Sequence, residues 1–149
     1  MVATDSIQFH YLNTAFAFKD RTPLKRFLLD LFRKEGRRVE HVNFIFCTDP
    51  YLADLNQTYL NHKTLTDIIT FELSEKGKPV LSDIYISIDR VRENASQFQT
   101  TFRHELHRVI FHGALHLCGY KDKKEKEKKE MRRMEEKYLK AWFHGTQFR

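Results

Sequence analysis

Two cysteines in 149 residues exclude a disulfide-stapled scaffold. Cys47 lies in an apolar, strand-like run and Cys118 in a histidine-rich helical one. Both settings suit buried free thiols, with metal ligation by Cys118 as the alternative. Five glycines and three prolines are too few for a fibrous or linker-rich chain. No apolar run approaches the ~20 residues of a membrane span. The opening stretch MVATDSIQFHYLN also lacks the basic-then-apolar order of a secretory leader. No membrane partner is therefore expected, and the cytoplasm is the expected compartment. What is present suits one globular domain over residues 1–149, with 41% hydrophobic and 31% charged residues. The net charge of +6 favours an anionic partner, because clustered cations gain affinity by releasing counterions from a phosphate backbone.

Strand and helix signals alternate along the chain. SIQFHYL and VEHVNFIFCT are rich in β-branched and aromatic residues. Between them TPLKRFLLDLFRKEG offers Thr22 as a cap, Pro23 at the first helical position and Gly36 as a stop. DPYLADLNQTYLN repeats the device with Asp49 and Pro50. TDIITFEL and VLSDIYISI then read as a hairpin about the turn SEKGKP, with Asp67 and Asp83 near the strand starts. From Asp89, a capping residue, the pattern becomes helical, and a second helix, TFRHELHRVIFHGALHLC, runs to Gly119. In the last segment Met131, Met134, Tyr138 and Trp142 form one stripe, the core face of a helix. The expected fold class is α+β: a small mixed sheet flanked by helices.

Four of the eight histidines fall between residues 104 and 116, where random scatter would place about one. His112 and His116 are one helical turn apart, so both rings can address one ion. Gly119 can turn the chain, and Asp122 can return as a third ligand. The spacing is that of H-E-x-x-H-x-x-G-x-x-H metalloproteases, with the general base replaced by Gly113 and the third histidine by Asp122. Without that base, peptide hydrolysis is disfavoured, yet three ligands and an open position still describe a hydrolytic metal centre with a zincin-like arrangement. An incidental histidine pair is the plain alternative. Asp122 has a competing role too, because Asp122 and Glu125 have the spacing of a capping box.

HGALHLCGYKD resembles the H-G-x-L-H-L-x-G-Y-D-H signature of the YbeY-type endoribonucleases. Upstream, LNQTYL is similar to that family's L-N-x-x-Y-R, LTDIITF to P-T-D-V-L-S-F, and LSDIYIS to L-G-D-I-x-I. The resemblance covers roughly residues 44 to 143. It implies a zinc-dependent, single-strand endoribonuclease of ribosomal-RNA maturation, with ribosomal RNA and the ribosome as partners. One zinc ion per chain would sit on His112, His116 and Asp122. Two departures stand out. Asp122 replaces a neutral imidazole with a carboxylate, which weakens the metal as a Lewis acid. Leu60 replaces an arginine credited with phosphate handling, for which His62 or Lys63 nearby are substitutes.

Further site residues follow from position. Glu105 lies seven residues before His112, about 10 Å along the helix axis, which suits positioning better than attack. Arg108, one turn before His112, reads as a phosphate contact or as Glu105's partner in a surface ion pair. His104 and His107 lie off that face and read as structural or solvated. Asp67 and Asp83 orient ligand imidazoles or cap strands, and the resemblance favours the cleft. Lys121 and Lys123 open a basic run reaching Arg133 that either guides RNA backbone or is a solvated face with i, i+4 pairs such as Lys126 with Glu130 and Glu125 with Lys129. Three functions compete: a metal-dependent endoribonuclease, a zincin-like peptidase, and an RNA-binding factor with a structural metal.

Overall fold

The strand segments sort their side chains onto two faces by period-two alternation, and helices use both. The structure, a computed structural model, describes residues 4–16, 18–61 and 66–145. Strands β1 (Ile7–Tyr11), β2 (Val39–Cys47), β3 (Ile68–Glu72) and β4 (Val80–Ser87) form one sheet in the order β1-β2-β4-β3. β1 and β4 both run parallel to β2, whereas β3 pairs antiparallel with β4 as the expected hairpin. The helices are α1 (Arg21–Lys34), α2 (Asp49–Leu60), α3 (Ile88–Gln97), α4 (Phe102–Leu117) and α5 (Glu125–His144). No helix among the described residues is long and apolar enough to cross a membrane.

Val42, Phe44 and Phe46 of β2 and Ile84 and Ile86 of β4 join residues of α1, α3, α4 and α5 in the main core. Each fully buried large side chain contributes roughly 1.5–3 kcal/mol over exposure. The stripe of α5 behaves as expected, with Met131, Met134 and Tyr138 buried and Trp142 packed at its edge. Cys47, Leu52 and Ile69 form a smaller cluster, which brings α2 against the opposite face of the sheet. Both cysteines are free thiols, and burial pushes each up to about 12.

The helix caps depart from the sequence reading. α1 starts at Arg21, so Thr22 lies inside its first turn rather than at the cap. Pro23 is tolerated there because first-turn amides lack intrahelical acceptors. α2 is capped by Thr48, whose Oγ1 accepts from the Tyr51 amide at 3.4 Å. Asp49 instead accepts from Ser87 Oγ at 2.6 Å and from Arg90 at 2.9 Å. α3 is capped by Ser87, not Asp89, through the Arg90 amide at 3.1 Å. At α5 the first turn is closed by Glu127, which accepts from the Lys124 amide at 2.9 Å and the Lys123 amide at 3.2 Å. Asp122 is thereby relieved of the capping role.

Candidate metal centre

Thr101 caps α4 by accepting from the His104 amide at 3.0 Å, and the helix then carries His112 and His116 on successive turns. Gly119 ends the run at φ 104°, a left-handed conformation that favours glycine, and turns the chain toward α5. The turn delivers Asp122 beside the helix, with Oδ2 3.3 Å from His112 Nε2. His112, His116 and Asp122 line one cleft of about 270 Å³, bounded on its other side by Asp67 and Thr70. His116 is exposed, and its ring makes no hydrogen bond to any described residue.

Beneath the cleft lies a charged network. Glu135 of α5 is 4% exposed, and its Oε2 accepts from His112 Nδ1 at 2.7 Å. Its Oε1 accepts from Arg108 at 3.1 Å. Glu105, 1% exposed, takes Arg108 in a two-point contact at 2.9 and 2.6 Å. Asp67 stands 3.7 Å from the same guanidinium. Burial disfavours the charged form of Arg108, but these carboxylates outweigh it and raise its pKa. Burial disfavours the His112 imidazolium while the Glu135 hydrogen bond favours it, and the balance is upward. Glu135 falls below the usual carboxylate range, since His112 and Arg108 overcome the burial penalty. Asp67 goes the other way: burial raises it despite Arg108 and His112.

The donor set fits a zinc ion in kind: two imidazoles and a carboxylate around a cleft, one imidazole already fixed through its far nitrogen. Among the described residues no three histidine, cysteine or acidic side chains are gathered closely enough to enclose an ion as they stand. His116 and Asp122 sit on the exposed rim, with 44% of the Asp122 side chain accessible.

The remaining expected residues fall in different places. Glu105 does not line the cleft but is buried against Arg108. Arg108 reaches the cleft wall with its charge already shared among three carboxylates, so the ion pair is part-buried rather than a surface one. Asp67 is in the cleft. Asp83 is not: Ile84 faces α4, so Asp83 points to the opposite sheet face, where Asn43 donates to it at 3.0 Å. Lys121 lines a neighbouring groove of about 610 Å³ with Lys124, Lys126, Lys129 and Arg133. Lys123 is exposed outside both concavities. The expected i, i+4 pairs are replaced by i, i+3 pairs, Glu125 with Lys128 at 3.6 Å and Glu130 with Arg133 at 2.6 Å. His62 and Lys63 lie outside the described residues. Glu135 is the residue that sequence reasoning missed. Its signal was present, a carboxylate within the apolar stripe of Met131, Met134 and Tyr138.

The sequence model for endoribonuclease YbeY matches residues 9–143. The chain belongs to the YbeY endoribonuclease family. Among curated relatives, the endoribonuclease YbeY of Flavobacterium psychrophilum is 45% identical over 141 residues, covering 95% of this chain and 99% of the relative. That of Christiangramia forsetii is 50% identical over 113 residues, covering 76% and 78% respectively. A Thermotoga maritima protein solved in solution superposes with a TM-score of 0.62 at 33% identity, covering 90% of this chain and 87% of the other. A YbeY-family fold thus carries the cleft. Leu60, which stands in place of the arginine in the resembled motif, is an exposed residue at the end of α2.

Proposed function

We propose that the chain is a zinc-dependent, single-strand endoribonuclease of ribosomal-RNA maturation, working on the ribosome in the cytoplasm, with the ion held by His112, His116 and Asp122. The observation that carries this reading is His112, anchored at Nδ1 by Glu135 and presenting Nε2 to a cleft that Asp122 and His116 share. When bound, zinc supplies Lewis acidity toward a phosphate oxygen and lowers the pKa of an attacking water. Asp67, whose pKa burial raises, is the cleft carboxyl group placed to handle a proton. Arg108 borders the cleft as a cation, and Glu105 holds it in place. Lys121 and its neighbours on α5 steer the RNA backbone past the site.

The test is cleavage of end-labelled single-stranded ribosomal-RNA fragments by wild-type protein, EDTA-treated protein, EDTA-treated protein given zinc, and the His116→Ala variant. Expected are about one zinc per chain by plasma emission, loss of cleavage with EDTA, recovery with zinc, and a fall in kcat/KM of at least about 100-fold in the variant. Cleavage that survives EDTA and the substitution would remove the metal from the mechanism. A second reading, an RNA-binding factor with a structural metal, draws on Leu60 and on the neutralisation of Arg108 by three carboxylates. Zinc-loaded protein that binds these RNAs and cuts none would establish it.

A further inference from the structure

We infer that Glu135 is a positioning residue that sets the His112 ring for metal binding, so that docking of α5 makes the cleft competent. The inference rests on the zinc reading above and deepens it. A carboxylate on the core-facing stripe of a helix is strongly destabilising unless both oxygens are satisfied. Those of Glu135 are committed, Oε2 to His112 Nδ1 at 2.7 Å and Oε1 to Arg108 at 3.1 Å. An ionised carboxylate only accepts, so the hydrogen in the Glu135 contact belongs to His112 Nδ1. That fixes the lone pair of a neutral ring on Nε2, the atom 3.3 Å from Asp122 Oδ2 and facing the cleft.

Arg108 completes the device. It holds the second oxygen of Glu135 and is itself clamped by Glu105, so the carboxylate cannot rotate away from His112. The result is a fixed acceptor, on a different helix from the ligand, choosing the ring nitrogen that meets the ion. Of the three candidate ligands only His112 has such an anchor among the described residues, while His116 and Asp122 occupy the exposed rim. His112 is therefore the preset ligand on which the other two close.

The experiment measures zinc affinity by competition with a fluorescent chelator, alongside the melting temperature of metal-free protein. The variants are Glu135→Gln, Glu135→Asp and, as a stability control in the core of α1 away from the cleft lining, Leu28→Val. Expected is a tenfold to hundredfold loss of zinc affinity for both Glu135 variants. Leu28→Val should lower the melting temperature with affinity unchanged, separating stability from positioning. In zinc-loaded wild type, nitrogen-15 resonances should show His112 protonated at Nδ1 and metal-bound through Nε2, a readout that needs no variant to fold. Wild-type affinity in Glu135→Gln, or coordination through Nδ1, overturns the inference while leaving the zinc reading intact. A wild-type chain that takes up no zinc overturns both.

Discussion

Gly113 lies between the helix that carries the histidines and the sheet beneath it. A Cβ built there would stand 2.9 Å from Ile68 Cδ1 and 3.3 Å from two carbons of Ile84. In the sequence this position reads as a lost protease base, but the fold gives it another meaning: side chains at 113 point into the packed sheet, not toward the cleft. A glutamate restored there would bury its charge among Ile68 and Ile84. Gly113→Ala sets the better helix propensity of alanine, about 1 kcal/mol, against a contact that Ile68 can relieve by rotating. It should change stability by no more than about 1 kcal/mol. Gly113→Glu should cost upwards of about 3 kcal/mol in urea unfolding and create no casein hydrolysis. A Gly113→Glu variant as stable as wild type would show that α4 does not sit this close to β3 and β4. Position 113 was unreadable beforehand because a single chain gives the spacing of residues along a helix, not the distance to the sheet it lies on.

The four histidines of α4 show how one element divides its faces. His112 and His116 reach the cleft, His104 stacks on Phe143 at 5.6 Å, and His107 is 3% exposed against Phe18, Phe111 and Trp142. Burial drives the His107 pKa down to about 4, opposed by the hydrogen bond of its ring to the Arg103 carbonyl at 2.7 Å. Arg103 and His104 on its own helix disfavour the proton, while Asp20, just before α1, favours it. Unfolded histidine titrates near 6.5, so between pH 6.5 and 4 the unfolded chain holds a proton that the native one refuses. Stability is thus full above 6.5 and falls with pH through that window, by about 3 kcal/mol in all. His107→Phe, measured by urea unfolding from pH 7.5 to 4.5, should flatten that limb by about one proton; parallel curves would assign the acid sensitivity elsewhere. The helical spacing was enough to separate these faces from sequence. The caps were harder to read, since Thr48 precedes Asp49 and Ser87 lies two before Asp89. Side chains of both kinds cap helices, and in the fold Thr48 and Ser87 hold the extended backbone of a cap while Asp49 and Asp89 lie inside the first turns. The same ambiguity surrounded Asp122, and Glu127 resolved it by taking the amides at the start of α5.

At the scale of the molecule, the +6 charge is not spread evenly around the cleft. The network under His112 pairs its one arginine with three acids, whereas the start of α5 gathers Lys121, Lys124, Lys126 and Lys129 around the neighbouring groove. The ion pairs at this end engage Lys128 and Arg133, leaving those four lysines outside any ion pair shown among the described residues. Solvated lysines beside a catalytic cleft and lysines that track a phosphate backbone look alike in sequence, but they differ in salt dependence. Each phosphate contact on a single strand contributes a slope of about −0.7 to log K against log salt. Replacing Lys121, Lys124 and Lys129 together by glutamine should therefore reduce the slope by up to about 2 and weaken binding most at low salt. The melting temperature should hardly move, because exposed charges of this kind contribute little to stability. The measurement is fluorescence anisotropy with a short single-stranded RNA and EDTA-treated protein, so that cleavage does not intervene. An unchanged slope would make the lysines a solvated helix face and put the RNA path elsewhere on the molecule.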